Sequence, residues 1–171
     1  FKPFRIIEAA FILLQMKQLS FDQYAERYDS WFLNNRNVLY SEVKLVAYFL
    51  EDAGRILSVG CGSGLFEMIL EKDFGIMIKD GVEPSSDMAA IAEKRGMKVQ
   101  IATAEDMVIE NNQYDTILFN GSPSYIPNLK KAIANSYNAL RKGGKMILID
   151  VPKESSYGLL HNLAKSTGTW E

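Results

Sequence analysis

The stretch Arg55–Glu67, RILSVGCGSGLFE, decides how the rest of the chain is read. Its β-branched and apolar run, Ile56, Leu57 and Val59, stops at Gly60, Gly62 and Gly64, and a helix-compatible segment, LFEMILEK, follows at once. This order predicts a strand, a tight turn and a helix N-terminus, where bare backbone presents unpaired N–H groups to a ligand. The spacing also restricts the ligand. The dinucleotide fingerprint G-x-G-x-x-G/A needs a small residue at position 65 if Gly60 opens it, or at 67 if Gly62 does. Those positions hold Leu65 and Glu67. Pyrophosphate binding is disfavoured, and a nucleoside without phosphates fits better.

Outward from this turn, strand-like runs recur at Ile76–Val82, Lys98–Ile101, Thr116–Phe119 and Lys145–Ile149. Helical patterns lie between them at Leu65–Lys72, Ser86–Arg95 and Leu129–Leu140, and two more helices, Phe21–Leu33 and Val38–Glu51, precede the sheet. Short apolar strands alternating with amphipathic helices imply parallel strands joined by right-handed crossovers, an α/β doubly wound sheet. Gly143-Gly144 reads as the end of the last of these helices, with Arg141 and Lys142 suited to the negative end of its dipole. Open parallel sheets bind ligands beyond the carboxyl ends of their strands. The motifs of this chain fall at such ends, which makes them one candidate site.

Four further segments carry a family resemblance: GVEPS (Gly81–Ser85), TAEDM (Thr103–Met107), YDTILFN (Tyr114–Asn120) and LRKGGKMILID (Leu140–Asp150). With VGCGSG, in this order and spacing, they resemble the class I S-adenosylmethionine-dependent methyltransferases, most of all the small-molecule group labelled methyltransferase type 11. The resemblance runs from about Phe21 to Asp150. It implies a Rossmann-like methyltransferase fold, S-adenosylmethionine as cofactor and a small-molecule methyl acceptor. The expected organisation is one domain over 1–171, with an N-terminal extension at 1–20, a helical lid at 21–52, a cofactor-binding core at 53–151 and a partial C-terminal part at 152–171. The family fold adds a helix and an antiparallel strand pair after the strand ending near Asp150, and about 20 residues remain here. The chain reads as a minimal variant, a fragment or a sequence with segments missing. FKPFRIIEAAFILLQ at the start reads as a helix, with an edge strand as the alternative.

The resemblance places Gly60, Gly62 and Gly64, with Ser58 and Cys61 beside them, under the methionine part and ribose of the cofactor. Relatives often carry an acidic residue two before the first glycine, which helps to hold the methionine ammonium. Ser58 supplies only a hydroxyl there, so that interaction is weaker unless another residue compensates. Cys61 reads as a small side chain in a crowded turn rather than a reactive thiol, which would need an activating neighbour. Glu83 ends the second strand, 19 positions after Gly64. Its carboxylate can accept from both hydroxyls of a ribose 2′,3′-diol, as the acidic anchor of relatives does, though it also suits a cap before the next helix. Pro84 adjoins it on the cofactor side and, with Ser85 and Asp87, carries helix-start chemistry.

Thr103 stands where relatives commonly have an Asp that accepts the adenine amino group. Contact through Thr103, the Ala104 backbone or Glu105 is expected, while Glu105 and Asp106 read equally as solvated loop charges. Met107 reads as a core methionine before an adenine contact. Asn120, Gly121 and Ser122 of NGSPSY form the cofactor-side floor, and Tyr125 points towards substrate. SPSY is near the N-P-P-Y motif of amino-directed DNA methyltransferases, but its register from Asn120 is shifted, so that reading is disfavoured. Tyr24 and Tyr28 lie in FDQYAERYDSWF, which resembles the segment that closes over the cofactor. Their rings suit a sulfonium cation and water exclusion, and a buried aromatic stripe is the competing reading. Trp31 and Phe32 are assigned to packing. His161, the sole histidine, reads as structural before catalytic.

Composition agrees with a small-molecule enzyme. The 171 residues carry a net charge of −2 without basic blocks, so an extended nucleic-acid footprint is not indicated. Cys61 is the only cysteine, which excludes an internal disulfide and fits a cytoplasmic setting. No run approaches the roughly 20 apolar residues of a membrane span. No catalytic pair or metal-ligand cluster stands out, which methyl transfer tolerates because the sulfonium is already activated. Two rivals remain at this level: an NAD-dependent oxidoreductase, disfavoured by Leu65 and Glu67, and a degenerate, non-catalytic relative that keeps the fold for binding.

Overall fold

The computed structural model describes residues 25–152 together with Ser155, Gly158, Leu159 and Leu163. Tyr24, His161 and the N-terminal extension lie outside them. Two helices come first, α1 (Ala25–Asn34) and α2 (Arg36–Phe49). The glycine-rich segment then unfolds as expected into β1 (Ile56–Val59) and α3 (Leu65–Phe74). Next are β2 (Asp80–Glu83), α4 (Ser86–Lys94), β3 (Lys98–Ile101), β4 (Tyr114–Asn120), α5 (Leu129–Ala139) and β5 (Leu140–Ile149). The five strands form one parallel sheet in the order β3-β2-β1-β4-β5. The order reverses at β1, which therefore sits at the switch point where a crevice opens beyond the strand ends. No helix of the described residues is long and apolar enough to cross a membrane.

Alternation along the strands fills two cores. Ile56 joins Phe32, Leu39, Val43, Phe66 and Leu70 on the face covered by the early helices. Leu57 and Val59 join Val82, Ile117, Phe119 and Ala132 on the other. Ser58, between Leu57 and Val59, points with Ile56 towards α3. Phe32 is buried and packs edge-on against Tyr28 and Trp31 at 5.0 Å and against Phe66 at 5.2 Å, which bears out packing roles for Trp31 and Phe32.

Two sequence expectations need correction. The second strand was expected from Ile76, yet β2 starts at Asp80. The reason is that α3 continues to Phe74, Gly75 caps it with φ 69°, and the Ile76 N–H donates to Leu70 O at 3.1 Å. Gly75 and Ile76 thus close the helix, and residues 77–79 lead on to β2, with Ile78 buried. The second correction concerns Gly143-Gly144. They do not end a helix: α5 stops at Ala139, and Leu140 already pairs with Tyr114. Pairing resumes at Thr116 with Lys145, so residues 141–144 bulge out of β5. Arg141 serves that bulge rather than a helix dipole, meeting the Asp115 carboxylate at 2.9 Å. Gly144 is needed there because a Cβ would lie 2.9 Å from Asp115 O and 3.0 Å from Arg141 O.

A buried polar clamp ties α1 to the glycine turn. Asp29 Oδ1 accepts from Ser63 Oγ at 2.5 Å, and its Oδ2 meets Arg95 Nη2 at 2.5 Å. Arg95 Nη1 also donates to Ser63 O at 2.8 Å. Three distant segments, the first helix, the turn and the end of α4, converge on one desolvated ion pair.

Two stability outcomes follow from these contacts. Gly144→Ala sets a methyl group against fixed backbone and is expected to cost about 1–3 kcal/mol in chemical denaturation. Asp29→Ala strands Arg95 without its partner and is expected to cost about 3–5 kcal/mol. Hydrogen exchange should then speed up across Ala25–Asn34 before it does in the sheet.

Candidate cofactor site

The carboxyl ends of β1, β2 and β4 meet at the crevice, and the glycine turn forms its centre. Gly60, Gly62 and Gly64 all have left-handed φ, at 73°, 56° and 71°. They differ in what surrounds them. A Cβ on Gly60 would lie 2.5 Å from Ser122 Cβ, and one on Gly64 would lie 2.8 Å from Met97 Sδ. A Cβ on Gly62 would meet nothing within 4 Å. Two of the glycines therefore admit neighbouring protein, and Gly62 is the one whose missing side chain leaves open space. Cys61 is buried with its sulfur over Gly81, and burial pushes its thiol far above the usual range. A thiolate is disfavoured there, in keeping with a packing role.

Glu83 closes β2 and is buried. Its Oε2 accepts from Gly62 N–H and its Oε1 from Ser85 N–H, each at 2.9 Å. One carboxylate thereby fixes both the turn and the start of α4. Ser85 in turn caps α4, accepting from Met88 N–H at 3.2 Å, while Pro84 is exposed between them. Both carboxylate oxygens are engaged by backbone amides, which fixes where the group sits at the strand end.

Ser58 is 1% exposed, and its hydroxyl donates to Glu67 Oε1 at 2.7 Å. Glu67 is itself buried in the first turn of α3. Burial raises its pKa, opposed in part by the Ser58 hydrogen bond. This carboxylate was not among the expected site residues. Its signal in the sequence was a lone charge in LFEMIL, whose neighbours Leu65, Phe66, Ile69 and Leu70 are all core. Asp29, Ser63 and Arg95 were missed as well, because their partners lie 32 to 66 positions apart.

The loop after β3 is held mainly by α5. Thr103 Oγ1 donates to Asp106 Oδ2 at 3.1 Å, and Glu105 Oε1 accepts from Asn128 N–H at 2.9 Å. Asn135 Nδ2 donates to Glu105 O at 2.7 Å, and Lys131 pairs with Asp106 at 3.0 Å. Thr103 is exposed, Ala104 and Met107 are buried, and Met107 belongs to the core. After β4, Gly121 N–H donates to Ile149 O at 2.8 Å and Ser122 Oγ to Val59 O at 2.7 Å. Asn120, Gly121 and Ser122 thus span the gap from β5 to β1, beside Gly60. Tyr125 ends a short 3-10 turn, Pro123–Tyr125. Tyr28 on α1 is half-buried, and its phenol is raised first by burial and next by Tyr125. Tyr28 and Tyr125 therefore lie within electrostatic reach of one another.

These features suit an adenosyl amino acid. There is room above Gly62, a buried carboxylate beside it at Glu83, and no turn shaped for pyrophosphate. Comparison with known proteins points the same way. A family model for a methyltransferase domain matches residues 23–171. An uncharacterised protein of Methanocaldococcus jannaschii is 38% identical over 145 residues, covering 85% of this chain and 67% of that protein. The malonyl-[acyl-carrier protein] O-methyltransferase of Priestia megaterium is 25% identical over 138 residues, 78% of this chain and 50% of that enzyme. Among solved structures, a Thermotoga maritima S-adenosylmethionine-dependent methyltransferase, described as a possible histamine N-methyltransferase, superposes with a TM-score of 0.75 at 33% identity. That alignment covers 86% of this chain and 68% of the other. The chain thus spans about two thirds of two of these relatives and half of the third. On its motifs, its sheet order and these matches, the chain belongs to the methyltransferase domain family, the class I enzymes that use S-adenosylmethionine as methyl donor.

Proposed function

We propose that this chain transfers a methyl group from S-adenosylmethionine to a small-molecule acceptor by in-line displacement. The observation that carries the reading is the Glu83 carboxylate, held by Gly62 N–H and Ser85 N–H at the mouth of the switch-point crevice. In this reading Glu83 accepts from the ribose diol, and Gly60, Gly62 and Gly64 underlie the ribose and the methionine. Asn120, Gly121 and Ser122 form the floor. Ala104 and its neighbours Thr103 and Glu105 border the adenine, through backbone more than side chain given their ties to α5.

When bound, S-adenosylmethionine supplies a methyl group already activated on a sulfonium. The protein's task is alignment and exclusion of water. Tyr28 suits that task because α1 is clamped onto the turn through Asp29, and its ring face can lie against a cation. Tyr125 borders the acceptor. Small-molecule acceptors agree with the net charge of −2, and a cytoplasmic setting agrees with the single cysteine, Cys61. The relatives include a malonyl-[acyl-carrier protein] O-methyltransferase and a possible histamine N-methyltransferase, so oxygen and nitrogen nucleophiles are both within the range to screen.

Calorimetric titration with S-adenosylhomocysteine and NAD tests the reading. Micromolar binding of the first and none of the second is expected. Glu83→Ala should weaken it about tenfold or more, roughly 1.4 kcal/mol. NAD binding, or full affinity in Glu83→Ala, would overturn it.

A further inference from the structure

Helix α2 carries one charge where its apolar neighbours leave no partner for it. Glu42 lies three residues after Leu39 and four before Val46, so it shares their side of the helix. That places it along the edge of the buried stripe Leu39, Val43 and Val46. The positions from which a helical ion pair could reach it hold Val38, Leu39, Leu45 and Val46. Among the described residues its carboxylate makes no ion pair. Glu42 is exposed, yet desolvation pushes its pKa up to about 7, with no cation to oppose the rise. A carboxylate that water reaches while protein crowds it stands in the wall of a crevice.

Tyr28 reports which crevice that is. Its phenol lies within electrostatic reach of Tyr125, Glu42, Asp29 and Glu67. Three elements, α1, α2 and the turn after β4, thus bring titratable side chains together. Asp29 is engaged by Ser63 and Arg95, and Glu67 is buried against Ser58. Glu42 is the accessible anion of the group. We propose that Glu42, with Tyr28 and Tyr125 near it, selects a cationic amine as the methyl acceptor. The inference rests on the reading that this crevice holds S-adenosylmethionine, with Tyr125 bordering the acceptor. A carboxylate beside aromatic rings complements an ammonium group in charge and in ring polarity. An acidic acceptor would be repelled there, and a neutral alcohol would leave the charge unmatched. Transfer needs the nitrogen lone pair, so the ammonium first gives one proton to the Glu42 carboxylate, which passes it to water. The lone pair then forms the N–C bond while the C–S pair stays on sulfur.

The test titrates phenethylamine, 2-phenylethanol and 3-phenylpropionate, one skeleton with three head groups, into the complex with S-adenosylhomocysteine. Calorimetry is expected to rank the amine about tenfold or more above the alcohol, with the acid weakest. Glu42→Gln should cut amine affinity about tenfold and leave S-adenosylhomocysteine within about twofold. Glu42→Lys should turn the preference towards the acid. Wild-type affinity for the amine should fall between about pH 8 and about pH 6 as Glu42 takes up a proton, and stay level in Glu42→Gln. Alcohol or acid bound above amine by the wild type, unchanged amine affinity in Glu42→Gln, or no amine binding would each overturn the inference. With S-adenosylhomocysteine still bound, those results remove only the Glu42 assignment. An equal loss of S-adenosylhomocysteine and amine in Glu42→Gln would place the residue on the cofactor instead, and also overturn it. If the wild type bound no S-adenosylhomocysteine, the cofactor-site reading would fall and the inference with it.

Discussion

The Glu83 carboxylate accepts one hydrogen bond from the glycine turn and another from the start of α4, and the architecture around the crevice depends on that pairing. A buried charge is tolerated only where donors surround it. Here the donors are the backbone amides of Gly62 and Ser85, which belong to the two elements that follow β1 and β2. Satisfying Glu83 therefore fixes the turn's height above the sheet and the direction in which α4 leaves it. Ser122 completes the arrangement from β4, its hydroxyl on Val59 O and its Cβ in the space that a side chain at residue 60 would need. Three strand ends are locked together by polar contacts of 2.7 to 2.9 Å.

Helix α1 is joined to this centre by a second buried charge. Asp29 binds Ser63 and Arg95, so α1 is tied to the turn itself as well as to the sheet behind it. Phe32 against Phe66 supplies the apolar half of the same junction. A helix anchored in this way holds Tyr28 within electrostatic reach of Tyr125. The protein thus gathers its buried carboxylates, Asp29, Glu67 and Glu83, around one crevice. The opposite core, built on Leu57, Val59, Ile117 and Phe119, carries no buried charged group among the described residues. That asymmetry is what a cofactor site on a stable sheet would produce.

Much of the fold was legible because its signals are local. Period-two apolar runs, glycines at a strand end and Ser85 before a helix announce themselves within a few residues. The boundaries that failed were set by distant partners. Gly143-Gly144 looked like a helix stop, and only Asp115, on the neighbouring strand, shows why a bulge forms there. Ile76 looked like strand because it is β-branched, and the carbonyl of Leu70 took its amide first. The site shows the same division. The glycines and Glu83 were visible by spacing. The clamp of Asp29, Ser63 and Arg95 was not, since nothing in AERYDSWF distinguishes a clamping aspartate from a solvated one. Glu67 stood in plain view as an argument against pyrophosphate, while its partnership with Ser58 across nine positions needed the strand and helix to be laid side by side.

The most direct measurement is a crystal structure of the chain with S-adenosylhomocysteine. The account predicts the ribose hydroxyls within hydrogen-bond distance of Glu83, with the ligand passing over Gly62. A ligand seated elsewhere on the sheet, or a ribose turned away from Glu83, would contradict it.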